Sequence, residues 1–187
     1  MLGVALALLL CHSSSVEAQE VAVPVDVQVP LMAKILGFDR KLDEHAKDDV
    51  VLGVLYQGRF RMSVSVAEEV QDAVKRLAPD AVLGRRMRSV AIDLDETTDL
   101  GATLTRLGVT VLYVTPLRAA DLGAIFATSR SSGITTMTGV PSYVETGIAI
   151  GIGMRGTRPE IVINLVASRA EGADLNAQLL KLARIVH

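Results

Sequence analysis

The apolar positions of this chain change period as it is read from one end to the other. Residues 50–56, VVLGVLY, form an unbroken apolar run of strand length, the pattern of a strand covered on both faces. Over 63–79, Val66, Val70, Val74 and Leu77 fall three or four residues apart, which predicts a helix with one buried stripe, ended by Pro79. Strand-length apolar stretches return at 89–94 (SVAIDL), 109–116 (VTVLYVTP) and 133–139 (GITTMTG). Helical spacing separates them. Leu100, Leu104 and Leu107 mark one helix, capped by Asp95 or Thr97 and closed by Gly108. Leu122, Ile125 and Phe126 mark another near 118–129. Strand and helix in alternation predict an α/β fold, a mostly parallel sheet flanked by helices on both faces.

The rhythm breaks after Pro141. TGIAIGIGM (146–154) and PEIVINLV (159–166) are separated by RGTR alone, too short for a crossover, so they are expected to form an antiparallel hairpin turned near Gly156. Leu175, Leu179, Leu182 and Val186 then predict a closing helix. At the other end, VAVPVDVQVP (21–30) alternates between Pro24 and Pro30 and reads as an extended lead-in or edge strand. A helix follows with Leu31, Ile35, Phe38 and Leu42 on one side, and KLDEHAKDD reads as a solvated turn.

Composition narrows the class. Half of the 187 residues are apolar, about a fifth are charged, and the net charge is -2, which excludes a disordered or acidic-tail protein. The longest basic cluster is GRRMR at 84–88, and no basic stripe of the kind nucleic acid requires is present. With three Phe, three Tyr and no Trp, the core must come from Val, Leu, Ile and Ala. LGVALALLL is too short to span a bilayer and leads into CHSSSVEAQE, where Val16 and Ala18 fit cleavage after Ala18. The expectation is a signal peptide over 1–18, although no Lys or Arg precedes the run, and one α/β domain over 19–187, exported to the periplasm. Cleavage removes Cys11 and His12, so the mature chain makes no disulfide of its own. His45 and His187 are too few for a histidine metal site, and no cofactor is expected.

Candidate chemistry is sparse. GIAIGIG alternates glycine within a strand pattern and opens no helix, so it is expected to admit another element against the sheet and not a nucleotide. Asp93, Asp95, Glu96 and Asp99 follow a strand and read as helix-capping residues, with a Mg²⁺ or Ca²⁺ site as the alternative. The polar stretch 129–147 supplies Arg130, Ser131, Ser132, Thr138, Ser142, Tyr143 and Glu145. These residues are expected around one strand tip, forming either a cleft for a small polar ligand or protein loop, or ordinary turns. Glu160 and Asn164 share a strand face. Glu160 is placed to pair with Arg155 or Arg158 across the hairpin, and Asn164 to cap the turn into ASRAEG.

The segments SGITTMTG, TGIAIGIGMRGTRPEIVINLVASRAEG and LNAQLLKLARIV together resemble the YfiR-like family, and VPLMAKILGFDR and VVLGVLY extend the likeness toward the start. The resemblance implies a non-enzymatic periplasmic regulator that dimerises. Its partner would be the periplasmic part of an inner-membrane diguanylate cyclase or sensor kinase, with effects on cyclic di-GMP and biofilm formation. The alternative is a periplasmic accessory protein that binds a small solute for sensing or transport. Ligand- or partner-binding candidates are Arg130, Ser132, Thr138, Ser142, Tyr143, Glu145, Arg155, Glu160 and Asn164. Two departures stand out: the mature chain lacks the cysteines that relatives often pair, and TGIAIG replaces an Arg-Gly-Gly-Met-Ile-Asn-like stretch.

Overall fold

The structure is a computed structural model that describes residues 21–46 and 48–187; the proposed signal peptide lies outside the described residues. The chain runs α1 (Val25–Leu36), α2 (Leu42–His45), β1 (Val50–Tyr56), α3 (Arg61–Lys75), β2 (Met87–Asp93), α4 (Leu100–Leu107) and β3 (Val111–Val114). It continues with α5 (Leu122–Ser132), β4 (Thr135–Thr138), α6 (Pro141–Thr146), β5 (Ile150–Arg155), β6 (Arg158–Asn164), α7 (Leu165–Ala170), α8 (Ala177–Leu182) and β7 (Arg184–Val186). The strands form one sheet in the order β2-β1-β3-β4-β5-β6-β7. Strands β1 to β5 run parallel, β6 reverses against β5, and β7 pairs parallel to β6. This is the α/β architecture that the periodicity predicts, including the β5–β6 hairpin, where Gly156 takes a left-handed φ of 61°.

The unbroken apolar strands follow from burial on both sides. In β1, Leu52 and Val54 point into a layer beneath α1 and α3, whereas Val51 and Leu55 point into a second layer beneath α4, α5 and α6. Val111 and Tyr113 of β3 belong to the first layer, and Leu112 and Val114 to the second. Alternate side chains thus enter different cores, so no position is left to be polar.

Several boundaries differ from the sequence expectation. Residues 25–30 are helical, not extended: Pro24 occupies the N-cap position and Pro30 lies inside α1. An internal proline costs about 3 kcal/mol through its lost hydrogen bond and ring clash. Here Pro30 and Asp26, four residues earlier, are both exposed, so water can serve the Asp26 carbonyl. Val25, Val29, Met32, Ala33 and Leu36 meanwhile bury a continuous face. Asp99, not Asp95 or Thr97, caps α4, accepting the Ala102 N–H at 2.9 Å. Within the expected solvated turn, α2 buries Leu42 and Ala46 seals the layer behind it.

The closing region departs most. The predicted last helix stops at Leu182, which is 72% exposed, and Val186 belongs to β7. The free edge of β6 takes up Arg184–Val186 as a strand, because an unpaired row of backbone groups is better satisfied by a ladder than by one more helical turn. α6 is absent from the sequence reading. It carries the chain from β4 to β5 as a parallel crossover, so only β6 and β7 oppose the direction of the other strands. The glycines of GIAIGIG admit α6, as expected. A Cβ on Gly151 would lie 2.4 Å from Val144 Cγ2, and one on Gly153 would lie 2.9 Å from Pro141 Cγ.

Candidate functional site

The polar stretch 129–147 does not gather around one strand tip. Arg130 and Ser132 lie exposed at the end of α5, which enters the amino end of β4; Thr138 and the residues up to Tyr143 leave its carboxyl end. The cleft expected from the sequence therefore divides between opposite ends of a parallel strand. Thr138 is buried, donating to the Val114 carbonyl at 2.8 Å and accepting the Val140 N–H at 3.1 Å. The Tyr143 hydroxyl accepts the Leu117 N–H at 2.8 Å and holds the loop after β3 against α6, with its pKa raised by burial. Ser142 and Glu145 remain exposed on α6.

Glu145, Arg155 and Glu160 do meet, through a residue placed by the sequence on a helix. Arg184, on β7, reaches Glu160 Oε2 at 3.3 Å and Glu145 Oε1 at 3.5 Å, and Arg155 pairs with Glu160. The Glu160 pairing with Arg155 is one of the two alternatives read from the hairpin. Asn164 is the N-cap of α7, accepting the Ala167 N–H at 2.9 Å, while its amide donates to the Val144 carbonyl at 3.0 Å. Asn164→Ala removes a cap and leaves a buried carbonyl unpaired, for an expected loss of about 2 to 3 kcal/mol in urea unfolding. Asn164→Ser keeps the cap alone and should lose about half as much.

A different edge has the topology of a ligand site. In the order β2-β1-β3-β4, the connection from β1 runs one way, to β2, and that from β3 runs the other way, to β4; in open α/β sheets ligands gather beyond the carboxyl ends at such a point. Here the two loops are tied together. Gln57 Oε1 accepts the Arg118 N–H at 2.6 Å, and Ser63 Oγ accepts the Gln57 N–H at 2.9 Å. Thr115 Oγ1 donates to the Leu55 carbonyl at 2.9 Å, which leaves the buried Ser63 hydroxyl to donate to Thr115 across 2.6 Å. Asp93 accepts the N–H groups of Gly58 and Asp95, and Asp95 accepts that of Arg59. The acidic residues at the end of β2 thus pin the β1 loop, and no cluster suited to a metal ion occurs among the described residues.

Arg59 and Arg118 stand exposed on these loops and Arg61 at the start of α3, and none has an ion-pair partner among the described residues. Ala119, next to Arg118, holds a left-handed φ of 52°. Sequence reasoning missed this edge because its cations are scattered over 59 to 118 and the bond between the loops is long-range. The alternation of strand and helix was the available signal, since it implies a switch point without saying which strands flank it.

No helix among the described residues is long and apolar enough to cross a membrane. Solved structures share the fold. One is an ABC domain from Streptococcus pneumonia in complex with L-Trp: 16% identity, 87% of this chain and 60% of that one, TM-score 0.59. Another is a conserved domain protein from Vibrio cholerae: 15% identity, 88% and 60%, TM-score 0.62. A third is a substrate binding protein with adhesive properties from Clostridium difficile in its ligand-free, open form: 15% identity, 78% and 57%, TM-score 0.53. The chain thus spans about three fifths of these proteins. No curated protein sequence matches it. The YfiR/HmsC-like family pattern matches residues 43–184, from α2 to β7. The protein is a member of the YfiR/HmsC-like family.

Proposed function

We propose that the protein is a periplasmic binding protein that takes a small anionic solute at the carboxyl edge of its sheet, as an accessory to sensing or transport. The observation that carries this reading is the tied pair of loops at the β1/β3 switch point, bearing Arg59 and Arg118, with Arg61 at the start of α3, all without carboxylate partners among the described residues. Guanidinium groups match carboxylate and phosphate in planar, two-point geometry. The neighbouring backbone N–H groups of Gly58 and Arg59 already serve Asp93 and Asp95, so the side chains, not a backbone nest, would hold the anion. The left-handed Ala119 fits a loop held in one shape for recognition. The shared fold with a substrate binding protein supports the same reading.

The test is thermal unfolding of the full chain with citrate, succinate, glutamate and inorganic phosphate. A solute at a hundredfold excess over its Kd stabilises the folded state by about 2.7 kcal/mol, which raises the melting temperature by several degrees. The double variant Arg59→Ala with Arg118→Ala should lose that rise while melting normally without solute. Stabilisation by none of these anions, or equal stabilisation of the double variant, would overturn the reading.

A second reading follows the family. The protein would dimerise, contact the periplasmic part of an inner-membrane diguanylate cyclase or sensor kinase, and so affect cyclic di-GMP and biofilm formation. The observation in its favour is the outer edge of β2, which no strand among the described residues covers. Recovery of such a membrane protein on tagged, purified protein tests it.

A further inference from the structure

The strand β2 ends the sheet on one side, and its hydrogen bonds show which of its groups are free. Val50 N–H donates to the Arg86 carbonyl at 2.9 Å, and Leu94 N–H donates to the Tyr56 carbonyl at 2.7 Å. With the register Val50↔Met87 through Tyr56↔Asp93, these two bonds fix the phase of a parallel ladder. Arg88, Val90 and Ile92 direct their backbone groups to β1, and Met87, Ser89 and Ala91 direct theirs outward. Among the described residues nothing accepts from or donates to those outward groups.

Beside this edge lies a groove of about 490 Å³. Val74, Leu77, Pro79 and Met87 supply its apolar floor, and Lys75, Arg86 and Arg88 its charges, with no carboxylate in the lining. Arg86 has no ion-pair partner among the described residues. Lys75 and Arg88 reach Asp72 and Asp49 only through solvent-exposed pairs, of 2.8 and 3.8 Å, which an incoming carboxylate can replace at little cost. The groove sits at the amino end of β2 and the carboxyl end of α3, so α3 separates it from the switch-point arginines.

We propose that the β2 edge, with its basic groove, binds an extended acidic segment of a partner protein by strand addition. The outward groups of Met87, Ser89 and Ala91 would continue the ladder, apolar side chains of the segment would fill the floor on the α3 face, and the alternate carboxylates, on the other face, would meet Arg86 and Arg88. Charge selects this occupant. A second copy of the chain would bring its own Arg86 and Arg88 into the same interface, whereas an acidic segment neutralises them. The inference does not depend on solute binding at the opposite end of α3, and its test uses different variants.

Two fluorescently labelled peptides, one alternating valine with glutamate and one alternating valine with lysine, are titrated against the full chain and followed by anisotropy. The acidic peptide should bind at least about tenfold more tightly than the basic one, with the gap shrinking as salt rises. Ala91→Pro removes an outward N–H without touching the ladder to β1, at an exposed edge position where proline is tolerated. It should weaken binding about tenfold or more at an unchanged melting temperature. Should that variant melt early, Arg86→Glu on the exposed surface takes its place and should reverse the preference between the peptides. Hydrogen exchange at Ser89 and Ala91 should slow only with the acidic peptide. No binding of the acidic peptide, equal binding of both, or a dimer in solution that Arg86→Glu or Ala91→Pro dissolves would overturn the proposal.

Discussion

Glu171→Ala should cost about 3 kcal/mol of stability, and Glu171→Gln should leave the protein as stable as the parent at pH 5 and more stable at pH 8. The Glu171 side chain is fully buried. Its Oε2 accepts the Thr136 N–H at 2.8 Å, and its Oε1 lies 2.8 Å from Thr136 Oγ1 and 2.9 Å from Ser129 Oγ. Ser129 Oγ is also 3.0 Å from the Phe126 carbonyl, and its single proton can serve only one of the two. When Glu171 is protonated it donates to Ser129, which then donates to Phe126, and every group is paired. Burial pushes the carboxyl up to about 7 against the bonds from Thr136 and Ser129 and the Arg130 charge, which favour the ionised form.

The direction of the pH effect follows. Between the ordinary carboxylate range and about 7, the native state holds a proton that the unfolded chain has released, so stability falls as pH rises through that window. The full effect amounts to about 3 kcal/mol. Urea midpoints measured from pH 5 to pH 8 should therefore decline for the parent and stay level for Glu171→Gln. A flat parent profile would show that Glu171 is ionised throughout. Because the two partner residues, Ser129 and Thr136, lie on α5 and β4, the alanine variant loosens the joint between the α7–α8 turn and the parallel sheet.

Gln28→Ala should lose about 3 to 4 kcal/mol, the largest effect expected at a polar position in α1. This glutamine is fully buried; its amide donates to the Val23 carbonyl at 2.6 Å, and its Oε1 accepts the Tyr113 hydroxyl at 3.0 Å. Burial raises the Tyr113 pKa, so the hydroxyl remains a donor. The pair joins the start of α1 to the interior strand β3 across 85 residues of sequence. Truncation leaves the buried Val23 carbonyl without its donor and the Tyr113 hydroxyl without its acceptor, and opens a void next to Gly139, where a Cβ would stand 2.5 Å from Gln28 Oε1. Tyr113→Phe removes one bond and should lose about 1 to 2 kcal/mol. In the double-mutant cycle the losses should fall short of additivity by about 1 kcal/mol, and strict additivity would mean that the two side chains do not act together.

Strands and helices from residue 50 to residue 139 were legible because each carries one local signal at full strength. The runs of β1 and β3 are apolar at every position, and the stripe of α3 repeats at helical spacing. Elements misread from sequence were those in which a distant partner outweighs a local preference. Pro30 argues against a helix, yet the buried face of α1 against the sheet prevails. Val186 continues a helical stripe, yet the open edge of β6 draws it into a strand. For the binding candidates, Glu160 with Arg155 and Asn164 as a cap were readable, since both rest on neighbours within a hairpin or a turn. Arg130 and Ser132 were grouped with Thr138 and Ser142 because a strand of four residues separates them in sequence by little and in the sheet from end to end.

By itself, the amino-acid sequence determined the α/β class, the parallel core, the hairpin and the absence of cysteine from residue 12 onward. Side-chain period and backbone chemistry act over a few residues and are written in their order. Only the tertiary structure decided that β1 and β3 flank the switch point, that Gln57 ties their loops, that Arg184 joins Glu145 to Glu160, and that β2 stands at the margin of the sheet with its outer edge unpaired among the described residues. Each of these depends on which strand lies beside which, and strand order is settled by the joint burial of both faces, a quantity that no short stretch of sequence contains.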